Sequence, residues 1–254
     1  MRHELRMIGA LTRRGLNEIL RVPGGALPGI LAPTIFMLGM AAVFGRAATL
    51  DGYDGVSFLA FILPVGMLQG AGFTGAATGV NLARDIERGW FDRMLLAPAP
   101  RPVLLAGIVA SASFRALLPA GFLLIVALAL GVSWPGLIEL GLAAVLVMGL
   151  AAAMACYATL VALRFRTQQA APLMQMGSFI AVLFTTAYAP RELLSGWLGT
   201  IADLNPVTLV LEGARQGFVG DVTWAVTWPA LVSITCLVVV FGGLAVRGMR
   251  RQGF

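Results

Sequence analysis

The side chains able to form ion pairs are concentrated in one short segment, residues 84–101, which carries four arginines and three carboxylates. Large apolar residues lie among these charges, at Trp90, Phe91, Met94, Leu95 and Leu96. Apolar groups of this size are costly to leave in water unless something covers them. The pattern predicts a short helix with a charged side and an apolar side, which suits docking against a partner. A solvated turn is the alternative.

Catalytic and cofactor chemistry has few candidate residues in this chain. The sole histidine is His3, so neither a serine–histidine pair nor a histidine metal cluster can be assembled. Cys156 and Cys236 each lie alone in an apolar run, where we expect small buried hydrophobic residues. The sequence contains no lysine, and a phosphate-binding loop of the G-x-x-x-x-G-K type requires one. We therefore expect a non-enzymatic protein with no cofactor or metal of its own.

The sequence as a whole is far too apolar for a soluble protein, because 59% of its residues are hydrophobic and only 12% are charged. A membrane-spanning helix needs about 20 apolar residues to cross about 30 Å of hydrocarbon. The apolar runs are continuous and do not alternate as those of membrane strands do. The sequence therefore predicts one all-α integral membrane domain over residues 1–254, with six transmembrane helices at about residues 27–45, 56–82, 103–131, 137–163, 169–189 and 226–246.

Two further segments are predicted to lie at the membrane surfaces. Residues 1–22 place apolar side chains on one helical stripe and most arginines off it, which predicts an amphipathic interfacial helix; a frayed tail is the alternative. Residues 190–225 are too polar to span and too long for a simple turn. We expect two short helices that enter the outer leaflet partway and return, with an ordinary outer loop as the alternative. The residues that set this segment apart include Pro190, Trp197, Asn205, Pro206 and Arg215.

The orientation in the membrane follows from the arginines, which supply every basic side chain except His3. Fourteen arginines lie in segments predicted for one side of the membrane and three in segments predicted for the other. By the positive-inside rule, both termini and residues 84–101 are expected in the cytosol, below a bacterial inner membrane. Because topology accounts for the net charge of +6, no nucleic-acid partner is expected.

Arg115 is the one clear charged residue predicted to lie at membrane depth. It follows Arg101 by fourteen residues, or about 21 Å of helix. Charged groups at that depth are functional by default. Two interpretations stay open: a structural arginine that pairs with a polar group between helices, and an arginine that contacts substrate.

Two stretches carry a family resemblance. Ala83-Arg-Asp-Ile-Glu-Arg-Gly-Trp-Phe-Asp-Arg-Met-Leu-Leu-Ala-Pro-Ala-Pro-Arg101 resembles the loop between spans two and three of ABC-2-type exporter permeases. In that family, a turn rich in Glu and Arg with a central glycine precedes Leu-Leu, Pro and Arg. Leu204-Asn-Pro-Val-Thr208, followed by Arg215, resembles the family's segment between spans five and six. The similarity is closest to permeases of the daunorubicin-resistance and nodulation-factor type, although Ser195-Gly196 stands where they often have Leu-Pro.

The resemblance implies a division of labour between subunits. Residues 84–101 would form a coupling helix in a groove of a separate ATPase, and that ATPase would hold ATP and magnesium. Residues 190–225 would form an extracellular gate. The residues that the resemblance assigns to the ATPase contact are Asp85, Glu87, Arg88, Gly89, Phe91, Asp92 and Arg93.

The expected partners are two ATPase copies, a second copy of this permease or a sibling permease, and membrane lipids. Such an assembly would export an amphipathic drug or lipid-like substrate from the cytoplasm or the inner leaflet. Two alternatives stay open: a permease for a polysaccharide or glycolipid, and a secondary transporter that works without an ATPase.

Overall fold

The computed structural model of the protein describes residues 2–21, 23–45, 56–96 and 100–251. Within these ranges the chain is helical and contains no strand, which confirms the all-α class. Short 3₁₀ turns occur at Gln168–Ala170 and Arg191–Leu193. The helices are α1 Arg2–Arg21, α2 Pro23–Phe44, α3 Phe58–Glu87, α4 Trp90–Leu96, α5 Arg101–Ala129, α6 Leu137–Phe165, α7 Ala171–Leu183, α8 Gly196–Leu204, α9 Pro206–Val219 and α10 Trp224–Arg251.

Four of the six predicted spans are helices long and apolar enough to cross a bilayer, namely α3, α5, α6 and α10. The predicted first span corresponds to α2, whose apolar part, Gly29–Phe44, is shorter. The predicted fifth span corresponds to α7, which has 13 residues. At about 1.5 Å per residue, α7 is about 20 Å long and so shorter than about 30 Å of hydrocarbon. The protein is thus a multi-pass membrane protein, and six crossings stay a prediction.

Helix α3 occupies the centre of the fold. It packs against α2, α5, α6, α7 and α9, and 89% of its most apolar stretch is buried, against 22% for α10. Small residues allow the closest of these contacts. A Cβ on Gly75 would lie 2.7 Å from Met154 Cβ, and one on Gly79 would overlap Ala158. Where lipid offers no hydrophobic drive for association, such close backbone approach is what holds helices together.

The charged ends of the helices meet at one end of the bundle. Here α3 ends, α4 lies across the helix termini, α5 begins and α6 ends. Because Arg14, Arg84, Arg88, Arg93 and Arg166 all lie here, we call it the arginine-rich end. Contacts between these separate segments support the prediction that they share one side of the membrane.

The amphipathic N-terminal segment is the 20-residue helix α1, which packs against α5. Glycines permit the contact: Gly107 on α5 accommodates Leu11, and Gly15 on α1 lies directly over Ser111. One side of α1 is thus covered by protein, and its position along the inner leaflet stays a prediction.

At the opposite end of the bundle, α7 stops at Leu183 and the chain continues without regular structure to the 3₁₀ turn at Arg191–Leu193. Two short helices follow, α8 with nine residues and α9 with 14. The two helices expected within residues 190–225 are therefore present, and their partial entry into the outer leaflet stays a prediction.

The glycine contact between α3 and α6 makes the first testable prediction. Gly79→Ala places a methyl group against Ala158, so the helices must separate, at a cost of about 1–3 kcal/mol of stability. Gly121→Ala on α5 is the matched control, because nothing lies within 4 Å of a Cβ there. Thermal unfolding in a mild detergent should show a lower Tm for Gly79→Ala than for the original chain, and no decrease in Tm for Gly121→Ala. Equal Tm values would show that close α3–α6 contact does not limit stability.

Candidate functional site

Of the predicted coupling segment, residues 84–101, the structure describes the last turn of α3, a tight turn at Arg88 and Gly89, the seven-residue helix α4 and residues 100–101. Residues 97–99 of the prediction lie outside the described residues. Gly89 has a φ of +68°, and its N–H donates to the carbonyl of Ile86 at 3.0 Å. A left-handed residue of this kind commonly ends a helix, and glycine adopts it without a Cβ clash. The glycine at the centre of the charged motif therefore turns α4 away from the axis of α3.

The carboxylate of Asp85 joins this segment to α1. It accepts hydrogen bonds from Arg14 Nη2 at 3.0 and 3.3 Å. The same guanidinium lies 3.8 Å from the centroid of the Trp90 ring, which is a cation–π contact. Arg14 was not among the predicted site residues. The sequence offered only its place on the polar side of an amphipathic helix.

The carboxylate of Glu87 joins the segment to the turn that precedes α7. It accepts from Thr167 Oγ1 at 2.8 Å, from Gln168 N at 2.9 Å and from Gln168 Nε2 at 2.5 Å. Gln168 Oε1 in turn accepts from Arg84 Nε at 3.1 Å. A carboxylate at the start of a helix is favoured, since free backbone N–H groups point toward it. Neither Thr167 nor Gln168 was predicted to be part of this site.

The remaining charged residues of the segment face outward. Asp92 lies 3.8 Å from Arg166, and both side chains are more than half exposed, so this ion pair contributes little stability. Arg88 and Arg93 are exposed, and neither guanidinium forms an ion pair or hydrogen bond within the described part of the chain. They are the segment's freely accessible cations.

The two aromatic residues of the segment differ in burial, since Phe91 lies in the interior and Trp90 lies at the surface. Phe91 is completely buried, in an apolar cluster with Leu82, Ile86 and Leu105. Trp90 stays 38% exposed beneath Arg14. Of the seven residues assigned to a partner contact, Phe91 therefore faces the interior of its own chain, where it fixes α4 to the bundle.

Two of the predicted gate residues hold the irregular stretch after α7. Arg215 on α9 is 8% exposed and donates to three backbone carbonyls, those of Phe61 at 3.2 Å, Thr186 at 2.8 Å and Ala187 at 3.2 Å. Its guanidinium also lies 3.8 Å from the centroid of the Phe61 ring. Asn205 donates to the carbonyls of Ala181 and Phe184, both at 2.8 Å.

The other gate residues have separate positions. Pro206 opens α9, and its carbonyl accepts from Ser233 on α10 at 2.6 Å. Trp197 on α8 is 63% exposed, and Pro190 precedes the 3₁₀ turn. The structure thus brings Asn205, Pro206 and Arg215 onto one helix and its start, and it leaves Trp197 and Pro190 at the periphery.

The arginine predicted to lie at membrane depth belongs to neither group. Arg115 is half-buried on α5 and lines a cavity of about 80 Å³ between α1, α3 and α5. No three of the His, Cys, Asp and Glu side chains in the described ranges come close enough to hold a metal ion.

Comparison with known sequences shows that one family profile covers both the predicted coupling segment and most of the predicted gate segment, residues 190–225. The profile of the ABC-2 type transporter family matches residues 6–219, a range that begins in α1 and ends with α9. The chain belongs to the ABC-2 type transporter family. Both the coupling segment and the gate segment up to Arg215 lie within the match, so the two resemblances come from one family and one continuous alignment.

Relatives of this ABC-2 type transporter are named as permeases. The daunorubicin resistance ABC transporter permease protein DrrB1 of Streptomyces coeruleorubidus is 26% identical over 226 residues, which cover 88% of this chain and 78% of that protein. Putative transport permeases called ycf38 are similarly related. The one from Cyanophora paradoxa is 26% identical over 81% of this chain and 71% of its own, and the one from Pyropia yezoensis 27% over 87% and 76%. The chain is therefore a membrane transport permease.

Arg215 gives the prediction for the gate segment of this ABC-2 type transporter. Arg215→Met keeps an unbranched side chain but leaves three backbone carbonyls without their donor, so we expect a loss of about 2–4 kcal/mol. Arg247→Met, on the exposed side of α10, is the control. The measurement is thermal unfolding, together with thiol labelling of a cysteine placed at Ala187, which should become faster. Unchanged labelling and an unchanged Tm would refute the role of Arg215.

Proposed function

We propose that this permease is the membrane-spanning subunit of an ATP-driven exporter and that a separate ATPase docks on the turn at Arg88 and Gly89 and on α4. The observation that carries the proposal is the division of the segment. Its inward side is bonded to α1, to the turn before α7 and to the apolar cluster of the bundle. Its outward side presents charges available to a partner.

This division sorts the predicted contact residues into two groups. Arg88, Asp92 and Arg93 are exposed, and we assign the ATPase contact to them, with Gly89 shaping the turn between them. The other side chains, those of Asp85, Glu87 and Phe91, bind other parts of this chain. We assign to them the transmission of ATPase-driven movement to the membrane helices. A force on the outward side would reach α1 through Arg14 and α7 through Gln168.

In the proposed cycle, ATP and magnesium bind to the ATPase, since this chain has no lysine for a phosphate-binding loop. Two ATPase copies close and pull on the coupling segments of two permeases, either two copies of this chain or this chain with a sibling. The spans then rock from inward-open to outward-open. ATP drives the change because it binds the closed ATPase pair more tightly than the open one.

The orientation, span number and cargo complete the proposal. The arginine-rich end faces the cytosol of a bacterial cell, with both termini on that side. Six crossings result if α2 and α7 also traverse the bilayer, α7 together with the irregular stretch that follows it. The cargo is an amphipathic drug or lipid-like molecule taken from the inner leaflet, an inference supported by similarity to a permease named for daunorubicin resistance.

The outward arginines test the docking proposal. Arg88→Glu with Arg93→Glu reverses two exposed charges, so association with the copurifying ATPase should weaken at least about tenfold, since like charges then face the partner's carboxylates. Arg247→Glu with Arg250→Glu makes the same change on exposed residues of α10 and is the control. The measurements are copurification from membranes and ATP-dependent efflux of a fluorescent amphiphile. If the coupling variant exports as well as the control, or if purified permease exports without any ATPase, docking at this site is ruled out.

Glu87 tests the distinction between contact and transmission. Glu87→Gln removes the charge that holds Gln168 and Thr167 but leaves the exposed arginines intact. The ATPase should therefore still bind, while less cargo is exported per ATP hydrolysed, by a factor of about five to ten if the lost charged hydrogen bonds are worth about 1–1.5 kcal/mol. Copurification, ATPase rate and efflux are measured on the same vesicles. Lost association with normal coupling would place Glu87 in the docking surface instead.

A further inference from the structure

The cavity beside Arg115 lies at a junction of three helices. Its wall comes from the middle of α1, the last turns of α3 and the first half of α5, with Met94 of α4 beside them. The volume of about 80 Å³ leaves room for several water molecules. The cavity shares Asp85 and its partner Arg14 with the coupling segment, and none of the outward residues Arg88, Asp92 and Arg93 is in its wall.

The charge on the cavity wall is unbalanced. Three guanidinium groups line it, those of Arg14, Arg84 and Arg115, together with one carboxylate, that of Asp85. Arg14 binds Asp85, and Arg84 donates through Nε to Gln168. Each guanidinium carries five N–H donors, so these contacts leave further donors on Arg14 and Arg84, both of which line the cavity. The arrangement favours an anion with several acceptor oxygens.

A buried hydroxyl points to the same conclusion. Ser111 is 4% exposed, lines the cavity, and its Oγ has no hydrogen-bond partner in the described part of the chain. A buried hydroxyl left without a partner is costly. An acceptor in the cavity would satisfy it. Gly15 is the residue that lets α1 approach this hydroxyl, since any Cβ there would clash with Ser111.

The position of the cavity indicates an amphiphile instead of a simple ion. Arg14, Arg84 and Asp85 lie at the arginine-rich end, whereas Arg115 lies about 21 Å along α5 from Arg101. On α5 the cavity wall runs from Ile108 to Arg115, about 10 Å of helix that leads away from the arginine-rich end. Apolar side chains complete the wall, namely Leu11, Leu82, Met94 and Ile108. A phosphate group attached to acyl chains matches a wall that has both arginines and apolar side chains.

We propose that this cavity binds the phosphate headgroup of an anionic amphiphile, through Arg115 and the hydroxyl of Ser111 together with Arg14 and Arg84. The anion then competes with Asp85 for Arg14, so occupancy loosens the bond between α1 and α3. Binding itself requires no ATPase, so the outcome of the following test is independent of the docking experiment.

The test is a thermal-shift titration of the full chain in an uncharged detergent. The probe is dihexanoyl phosphatidic acid, with dihexanoylglycerol as the uncharged analogue and inorganic phosphate as the free anion. A ligand that binds only the folded state raises Tm in a concentration-dependent way, which yields its affinity. We expect saturable stabilisation by the phosphatidic acid and none by the glycerol analogue. Inorganic phosphate should bind at least about tenfold more weakly, because it lacks the apolar contacts.

Two substitutions locate the site. Arg115→Gln should weaken binding at least about tenfold, the value of a lost charge-assisted hydrogen bond. Ser111→Ala should leave the Tm of the empty protein unchanged or higher, because it deletes an unsatisfied hydroxyl, and yet weaken binding about threefold or more. Arg247→Gln removes one exposed arginine of α10 and should bind as the original chain does. If Arg115→Gln does not fold, Ser111→Ala still decides the matter.

Three results would overturn the proposal. They are the absence of any shift with phosphatidic acid, equal weakening by Arg115→Gln and Arg247→Gln, and full binding by Ser111→Ala. A fourth result would overturn it as well: inorganic phosphate binding as tightly as phosphatidic acid would show that the cavity takes a free anion and not an amphiphile.

Discussion

The burial of α3 is the constraint on which the proposed coupling and gate segments both depend. Its glycines admit α6 to backbone contact, so the helix cannot tilt without breaking the tightest packing in the fold. Near its start, the carbonyl of Phe61 accepts from Arg215. At its far end, Asp85 and Glu87 bind α1 and the turn before α7. The two segments are thus about 39 Å apart on one rigid element, which gives a displacement at one end a direct mechanical route to the other.

Hydropathy predicted the long helices correctly because membrane helices are set by composition within about 20 consecutive residues. The same signal could not show where α7 ends. Its apolar run continues to residue 189, but the helix stops at Leu183. The carbonyls beyond that point are bound by Asn205 and Arg215, which lie more than 20 residues later in the sequence. No local pattern contains that information.

The coupling segment shows the same limit in its side chains. Its charges and its short helix were predictable from residue types, and so was the need to cover its large apolar groups. The sequence could not show what covers them. Phe91 is covered by the chain's own bundle, and Trp90 is partly covered by Arg14, 76 positions earlier. Burial of an aromatic ring is favourable both within a chain and between chains. The free-energy cost of exposing the ring to water therefore does not show which surface covers it.

The stacking of Arg14 on Trp90 also gives the protein a natural optical probe. Its other four tryptophans, at 134, 197, 224 and 228, are all largely exposed near the opposite end of the bundle. Among the five tryptophans, Trp90 is the one at the contact between α1 and α4. Its indole loses a neighbouring cation if Arg14 moves away. If the four distant tryptophans are replaced by phenylalanine, the fluorescence of Trp90 would report any separation of α1 from α4 in real time, with no attached dye.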